Sequence, residues 1–126
     1  MKIHRETFKK QERITKRSDF TKRHPEEVIV HTRGYQFVFK PTPLPYSRLG
    51  IVVTRKDGNA VFRNRVKRVL REAFRKNKRA IQPPRDVIII RKRRPTPPTF
   101  KEAEKYFMDA VTRFTNPRRG RSNASE

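Results

Sequence analysis

One stretch, residues 59–79, constrains the fold more than any other because its apolar and basic residues recur with the period of a helix. At about 100° per residue, the apolar side chains fall on one side; they are Phe62, Val66, Val69, Leu70, Ala73 and Phe74. The other side is almost entirely basic and carries Arg63, Asn64, Arg65, Lys67, Arg68, Arg71, Arg75 and Lys78. The pattern predicts a helix with one face buried in a core and a cationic face outside.

A cationic helix face is often no more than a solvated surface, but this one has few acids to balance it. Glu72 is the one acid in the stretch, so salt bridges along the helix do not account for the cations. Arg63 and Arg65 lie near the positive end of the helix dipole, where a cation costs about 0.3–1 kcal/mol. The arginine fork binds phosphate oxygens in pairs. We therefore interpret this face as a phosphate-binding surface.

The composition points to a polyanionic partner. The 126 residues, 33% of them hydrophobic, suit one small domain, and the formal net charge is +22. A field of this strength favours nucleic acid, and no apolar run approaches the roughly 20 residues that span a bilayer. The absence of cysteine excludes disulfides and thiolate sites. The first residues lack the apolar segment of a secretory signal, so we expect a cytoplasmic protein without a membrane partner.

The remaining chain predicts an α+β fold. Ser18 is a candidate N-cap for a short helix beginning at Asp19, Asn59 is one for the basic helix, and Thr99 with Glu102 forms a capping box for a last helix that ends before Pro117. β-Branched and aromatic runs predict strands at residues 28–32, 35–39, 48–54 and 86–91. Two helices over a mainly four-stranded sheet form a two-layer sandwich. We expect a basic, partly disordered arm at 1–17, one RNA-binding domain at 18–116 and a disordered basic tail at 117–126.

The side chains offer binding rather than catalysis. The acids are scattered, the histidines show no ligand spacing, and the glycines are too few for a phosphate loop,. Exposed aromatic residues could stack on single-stranded RNA. Alternation places Tyr35, Phe37 and Phe39 on one strand face, where burial in the core is the competing interpretation, whereas Phe20 lies among basic residues with little else to bury.

Three segments resemble a known family. They are Arg48-Leu-Gly-Ile-Val-Val-Thr-Arg-Lys56, Gly58-Asn-Ala-Val61 and Arg63-Asn-Arg-Val-Lys-Arg-Val-Leu-Arg-Glu-Ala-Phe74. Together they resemble the signature of the bacterial ribonuclease P protein subunit. The resemblance implies an α-β-β-β-α-β-α order in which the basic helix joins two parallel strands by a left-handed crossover, against the general rule of right-handed crossovers.

The resemblance also implies a function. The catalyst would be a partner RNA that uses Mg²⁺, and the protein, monomeric apart from that RNA, would bind it and the 5′ leader of precursor tRNA while the leader is hydrolytically removed. The residues that match the RNA-facing motif are Arg55, Lys56, Arg63, Asn64, Arg65, Lys67, Arg68 and Arg71. The candidates for the leader cleft are Phe20, Phe37, Phe39 and Lys92. A small ribosomal RNA-binding protein and a DNA-binding regulator are the alternatives.

Overall fold

The computed structural model describes residues 8–32, 34–92 and 98–115. Three helices and four strands follow one another in the predicted order α-β-β-β-α-β-α. Their bounds are α1 Arg17–Thr21, β1 Val28–Thr32, β2 Tyr35–Pro41, β3 Arg48–Val52, α2 Ala60–Asn77, β4 Arg85–Arg91 and α3 Phe100–Thr115. The predicted α+β class and its mainly four-stranded sheet are confirmed.

The four strands form one sheet in the order β1-β2-β4-β3. β2 lies antiparallel to both β1 and β4, whereas β3 is parallel to β4. The parallel neighbours are joined through α2, as the resemblance implies, because parallel strands need a long crossover connection. The left-handedness of this crossover stays a prediction.

Helices α2 and α3 cover one face of the sheet. Alternate residues of each strand point towards them, so Phe37 packs edge-on against Phe107 with ring centroids 6.1 Å apart, and Phe39 stacks on Phe114 at 4.4 Å. The apolar stripe predicted for α2 is in this core, with Val66, Leu70, Ala73 and Phe74 buried and Phe62 and Val69 partly buried.

Among the described residues, α1 and the segment that precedes it cover part of the other sheet face. Ile14 is 5% exposed and forms a small cluster with Val38 and Ile88, to which Phe20 adds its ring. Gly50 lies directly beneath that ring, since a Cβ atom there would stand 2.5 Å from Phe20 Cε1. The glycine therefore permits α1 to approach the sheet closely.

Residues 8–17 belong to the folded unit, so the predicted domain start at residue 18 is wrong. Ile14 N–H donates to the Leu49 carbonyl at 2.9 Å along the free edge of β3. The ring of Phe8 lies 5.5 Å from that of Phe74, and Glu12 forms a 2.7 Å ion pair with Lys78. Residues 1–7 and the tail predicted at 117–126 lie outside the described residues.

The predicted helix caps have mixed outcomes. Asn59 accepts a hydrogen bond from Phe62 N–H at 2.9 Å, and Thr99 and Glu102 exchange the bonds of a capping box at 2.9 and 3.2 Å, as predicted. Ser18 is not a cap, because α1 begins earlier and Lys16 is its N-cap residue. β3 is shorter than predicted because Thr54 caps a 3₁₀ turn, Arg55–Asp57.

Candidate nucleic-acid interface

The basic face of α2 consists of Arg63, Asn64, Arg65, Lys67, Arg68 and Arg71, all of which the sequence predicted for RNA contact. It lies opposite the buried Val66 and Leu70. Asn64, Arg65 and Arg68 are exposed, and the other members are partly buried. Within the described residues, none of the five cations of the basic face forms an ion pair with a carboxylate. The charge of this face is therefore available to an outside anion.

The second half of α2 is different, and the predicted cationic stripe is too long by two residues. Arg75 pairs with Glu72, whose pKa is lowered chiefly by the hydrogen bond from that guanidinium. Lys78 is held by Glu12 of the N-terminal segment at 2.7 Å. Two of the eight polar residues of the predicted stripe are thus paired with acids, whereas the cations from Arg63 to Arg71 have no such pair among the described residues.

The turn before α2 extends the basic face beyond the helix. Arg55 and Lys56 are exposed in the 3₁₀ turn. The Asp57 carboxylate fixes this turn by accepting the Thr54 N–H at 2.8 Å. Gly58 follows with φ of 147°, a backbone conformation that residues other than glycine rarely adopt,. Both predicted residues are therefore presented beside the N-terminus of the helix rather than on it.

A cavity of about 360 Å³ runs from the basic face towards α1. Lys67 and Arg71 line it from α2, Arg13 from the N-terminal segment and Phe20 from α1. Burial, together with the nearby charge of Arg13, lowers the pKa of Arg71. A cation in such surroundings gains most from an anionic neighbour, because the like charge beside it is then compensated.

Next to α1, no helix of the described chain covers this face of the sheet, and we call this surface the sheet cleft. The register aligns His31, Gln36, Ile90 and Val52 in one row across the four strands. Lys92 follows on the same face, with Nζ 3.3 Å from His31 Nδ1. Phe20 borders the row and is partly buried. The predicted cleft residues Phe20 and Lys92 therefore lie on one sheet face, with a flat polar and apolar floor beside them.

The prediction of Phe37 and Phe39 as cleft residues is wrong. Both are 0% exposed and pack against α3 on the helix side of the sheet, so the competing core interpretation is confirmed. The residues that β2 turns towards the cleft are Gln36 and Val38. Neither was predicted, although alternation along β2 from a buried Phe37 points to both. His31 of β1 was also missed, and only the pairing of β1 with β2 places it opposite Gln36.

Charged contacts hold α1 in place beside the cleft. Arg48 forms two hydrogen bonds to Asp86, at 2.9 and 2.6 Å, and lies 3.6 Å from Asp19 of α1. The bond to Asp86 raises the pKa of Arg48. Lys40 is buried and donates to the carbonyls of Asp19 and Lys22 at the C-terminal end of α1. Although α1 is short, these contacts from Arg48 and Lys40 of the sheet fix its position.

No group of three or more His, Cys, Asp or Glu side chains that could hold a metal ion occurs among the described residues. Of the helices that the structure describes, none has the length and apolar content to span a bilayer.

A small α+β domain with one unpaired basic helix face is thus established, and comparison with known proteins identifies its family. The family model for Ribonuclease P matches residues 8–115. The chain therefore belongs to the ribonuclease P protein family. This membership agrees with the resemblance predicted from residues 48–74, and it decides against the ribosomal and DNA-binding alternatives.

Individual relatives give the same result. The chain is 42% identical over 86 residues to the ribonuclease P protein component of Syntrophus aciditrophicus, covering 68% of this chain and 72% of that protein. It is 41% identical over 85 residues to the component of Thermotoga maritima, covering 68% and 73%. The solved structure of the Thermotoga maritima protein matches with a TM-score of 0.70 at 32% identity, covering 81% of this chain and 96% of that one. A Staphylococcus aureus RNase P protein matches with a TM-score of 0.70 at 29% identity, covering 80% and 93%.

As a protein component of ribonuclease P, an endoribonuclease, the chain has a role in tRNA processing and an RNA partner.

Proposed function

We propose that this protein binds the RNA subunit of ribonuclease P with the basic face of α2 and holds the 5′ leader of precursor tRNA in the sheet cleft. In this way it assists the Mg²⁺-dependent removal of the leader. The observation that carries the proposal is the presence of two surfaces of different chemistry, one cationic and one flat and partly apolar. They meet at the cavity lined by Lys67, Arg71 and Phe20.

The basic face suits a folded RNA because its cations have no internal acid partner in the described chain. Each cation that neutralises a phosphate releases a counterion, which makes the affinity strongly dependent on salt. Arg65 and Arg68 are exposed one turn apart, a spacing at which two guanidinium groups can reach neighbouring phosphates. The turn carrying Arg55 and Lys56 adds two more exposed cations.

The sheet cleft suits a single strand. Phe20 offers a partly exposed aromatic ring on which a base can stack, and Ile90 and Val52 provide an apolar floor. Lys92 supplies an exposed cation on the same face. Single-stranded RNA is commonly bound by this combination of stacking and backbone charge.

The part of Mg²⁺ in the reaction falls to the RNA in this proposal. The described residues contain no cluster of metal ligands, so no chemical step is assigned to a metal on the protein. The contribution of the protein is to hold two RNA chains together, with a formal net charge of +22 opposing their mutual repulsion,.

Reconstitution tests this function. We expect the protein, added to a bacterial ribonuclease P RNA at low Mg²⁺, to increase the rate of mature tRNA 5′-end formation. An unrelated protein of similar size and net charge serves as the control for non-specific charge neutralisation. Equal stimulation by the two proteins would refute the proposal.

A further inference from the structure

Val61 is an exposed aliphatic residue in the middle of a charged surface. Its side chain is 78% exposed, whereas the other exposed large hydrophobic residues of the described chain, Val28 and Ile29, are each 38% exposed. Those two lie on β1, away from α2. Among the described residues, Val61 is thus the one exposed large hydrophobic residue on α2.

Its position places Val61 at the head of the basic face. It lies in the first turn of α2, which begins at Ala60. At helical spacing, positions three, four and seven residues further on share its side; these are Asn64, Arg65 and Arg68, the exposed members of the basic face. Arg55 and Lys56 lie just before the helix. Exposed cations therefore precede Val61 along the chain and follow it on the same side of the helix.

Neither folding nor helix formation explains this valine. It is absent from the two clusters of buried residues and from the partly buried residues packed on them. It is also not part of a hydrophobic staple, since the residues that would form one across Asn59 are Gly58 and Arg63,. A β-branched residue is a poorer helix former than alanine. Packing among the described residues therefore does not account for this valine.

We infer that Val61 packs on a nucleoside surface of the partner RNA, either a ribose or a base, between phosphates held by the neighbouring cations. The inference rests on the proposed docking of the basic face on ribonuclease P RNA. Phosphate alone gives an aliphatic side chain nothing to contact, but riboses and base faces lie between successive phosphates. Burial of the valine there adds affinity without releasing a counterion.

The test is Val61→Ala, measured by equilibrium binding to ribonuclease P RNA over a series of salt concentrations. We expect affinity to fall about three- to tenfold, the size of losing two partly buried methyl groups. The slope of log affinity against log salt should not change, and thermal stability should be kept, because alanine is the better helix former. The matched control is Val28→Ala on β1, which should bind as the wild type does.

The outcomes separate this inference from the proposed function. A Val61→Ala affinity within twofold of the wild type would overturn the inference while leaving RNA docking intact. Lost affinity with a lowered unfolding temperature would also overturn it, because the valine would then act through the fold. If the wild type shows no salt-dependent binding to the RNA, the proposed function fails instead.

Chemical probing of the bound RNA identifies the contact. A base that becomes reactive to dimethyl sulfate with Val61→Ala assigns the contact to a base, and a new site of hydroxyl-radical cleavage assigns it to a ribose. Either result supports the inference. Identical patterns for wild type and variant in both reactions would contradict it.

Discussion

The basic face of α2 and the sheet cleft meet at one cavity, lined by Lys67, Arg71 and Phe20, but they depend on different physics. The basic face is a set of cations whose neighbours leave their charge unpaired. The cleft is formed by the packing of the short helix α1 on the sheet. Phe20 of α1 packs over Gly50, and Arg48 and Lys40 contact α1 from the sheet. We therefore expect RNA binding by the basic face to depend on the salt concentration. RNA binding by the sheet cleft should depend on the position of α1.

The largest expected effect comes from removing two exposed cations from the basic face. Arg65→Ala with Arg68→Ala should lower the salt slope for ribonuclease P RNA by about 2, which corresponds to roughly thirtyfold weaker binding near 0.15 M salt. Titrations at several salt concentrations measure both quantities. Lys101→Ala with Lys105→Ala, on the exposed side of α3, removes the same charge elsewhere and should change the slope by much less. Equal slopes for the two double variants would mean that the net charge, not the basic face, binds the RNA.

Phe20→Ala should give the next largest effect, on the other surface. Base stacking on an aromatic side chain is worth about 1–3 kcal/mol, so affinity for leader-bearing precursor tRNA should fall about tenfold in the reconstituted complex. Affinity for the RNA subunit should stay unchanged, because Phe20 lies outside the basic face.

The matched variant for that experiment is Phe20→Leu, which keeps an apolar side chain over Gly50 but cannot stack. We expect it to lose leader affinity nearly as much as the alanine variant. Full recovery with leucine would show that Phe20 serves packing alone.

Gly50→Ala should produce a smaller change of the same kind. The new methyl group would stand 2.5 Å from the present position of the Phe20 ring, and the ring must turn away from the sheet to accommodate it. We expect leader affinity to fall a few fold, with the salt slope for the RNA subunit preserved. The leader affinity is measured by comparing the binding of leader-bearing and leaderless tRNA. An equal loss of affinity for both substrates would contradict a role of Gly50 in leader contact.

The helix was easier to predict than the cleft because its signals are local. The stripe from Phe62 to Phe74 and the caps Asn59 and Thr99 are encoded within a few residues of where they act, and the structure confirms them. Even there, the pairing of Lys78 with Glu12 escaped prediction, since the two residues lie 66 positions apart. Residues distant in sequence decide which cations stay unpaired.

The location of the cleft depends on which face of the sheet the helices cover. Strand alternation predicts which residues share a face, but not which of the two faces is covered. Alternation correctly placed Phe37 and Phe39 on one face, but it left burial in the core and exposure to RNA as competing interpretations of that face. Once Phe37 is known to be buried, Gln36 and His31 follow for the opposite face. The same long-range contacts explain why residues 8–17 were assigned to an arm although Ile14 pairs with β3.

The measurement that tests the central claim most directly is a double-mutant cycle of Arg65→Ala and Phe20→Ala, read on two ligands. Binding to ribonuclease P RNA should respond to Arg65 alone, and discrimination of leader-bearing from leaderless tRNA should respond to Phe20 alone. The two effects should add within about 0.5 kcal/mol because Arg65, unlike Lys67 and Arg71, does not line the cavity that the basic face shares with Phe20,. If either substitution weakens both kinds of binding equally, the account of two distinct surfaces is contradicted.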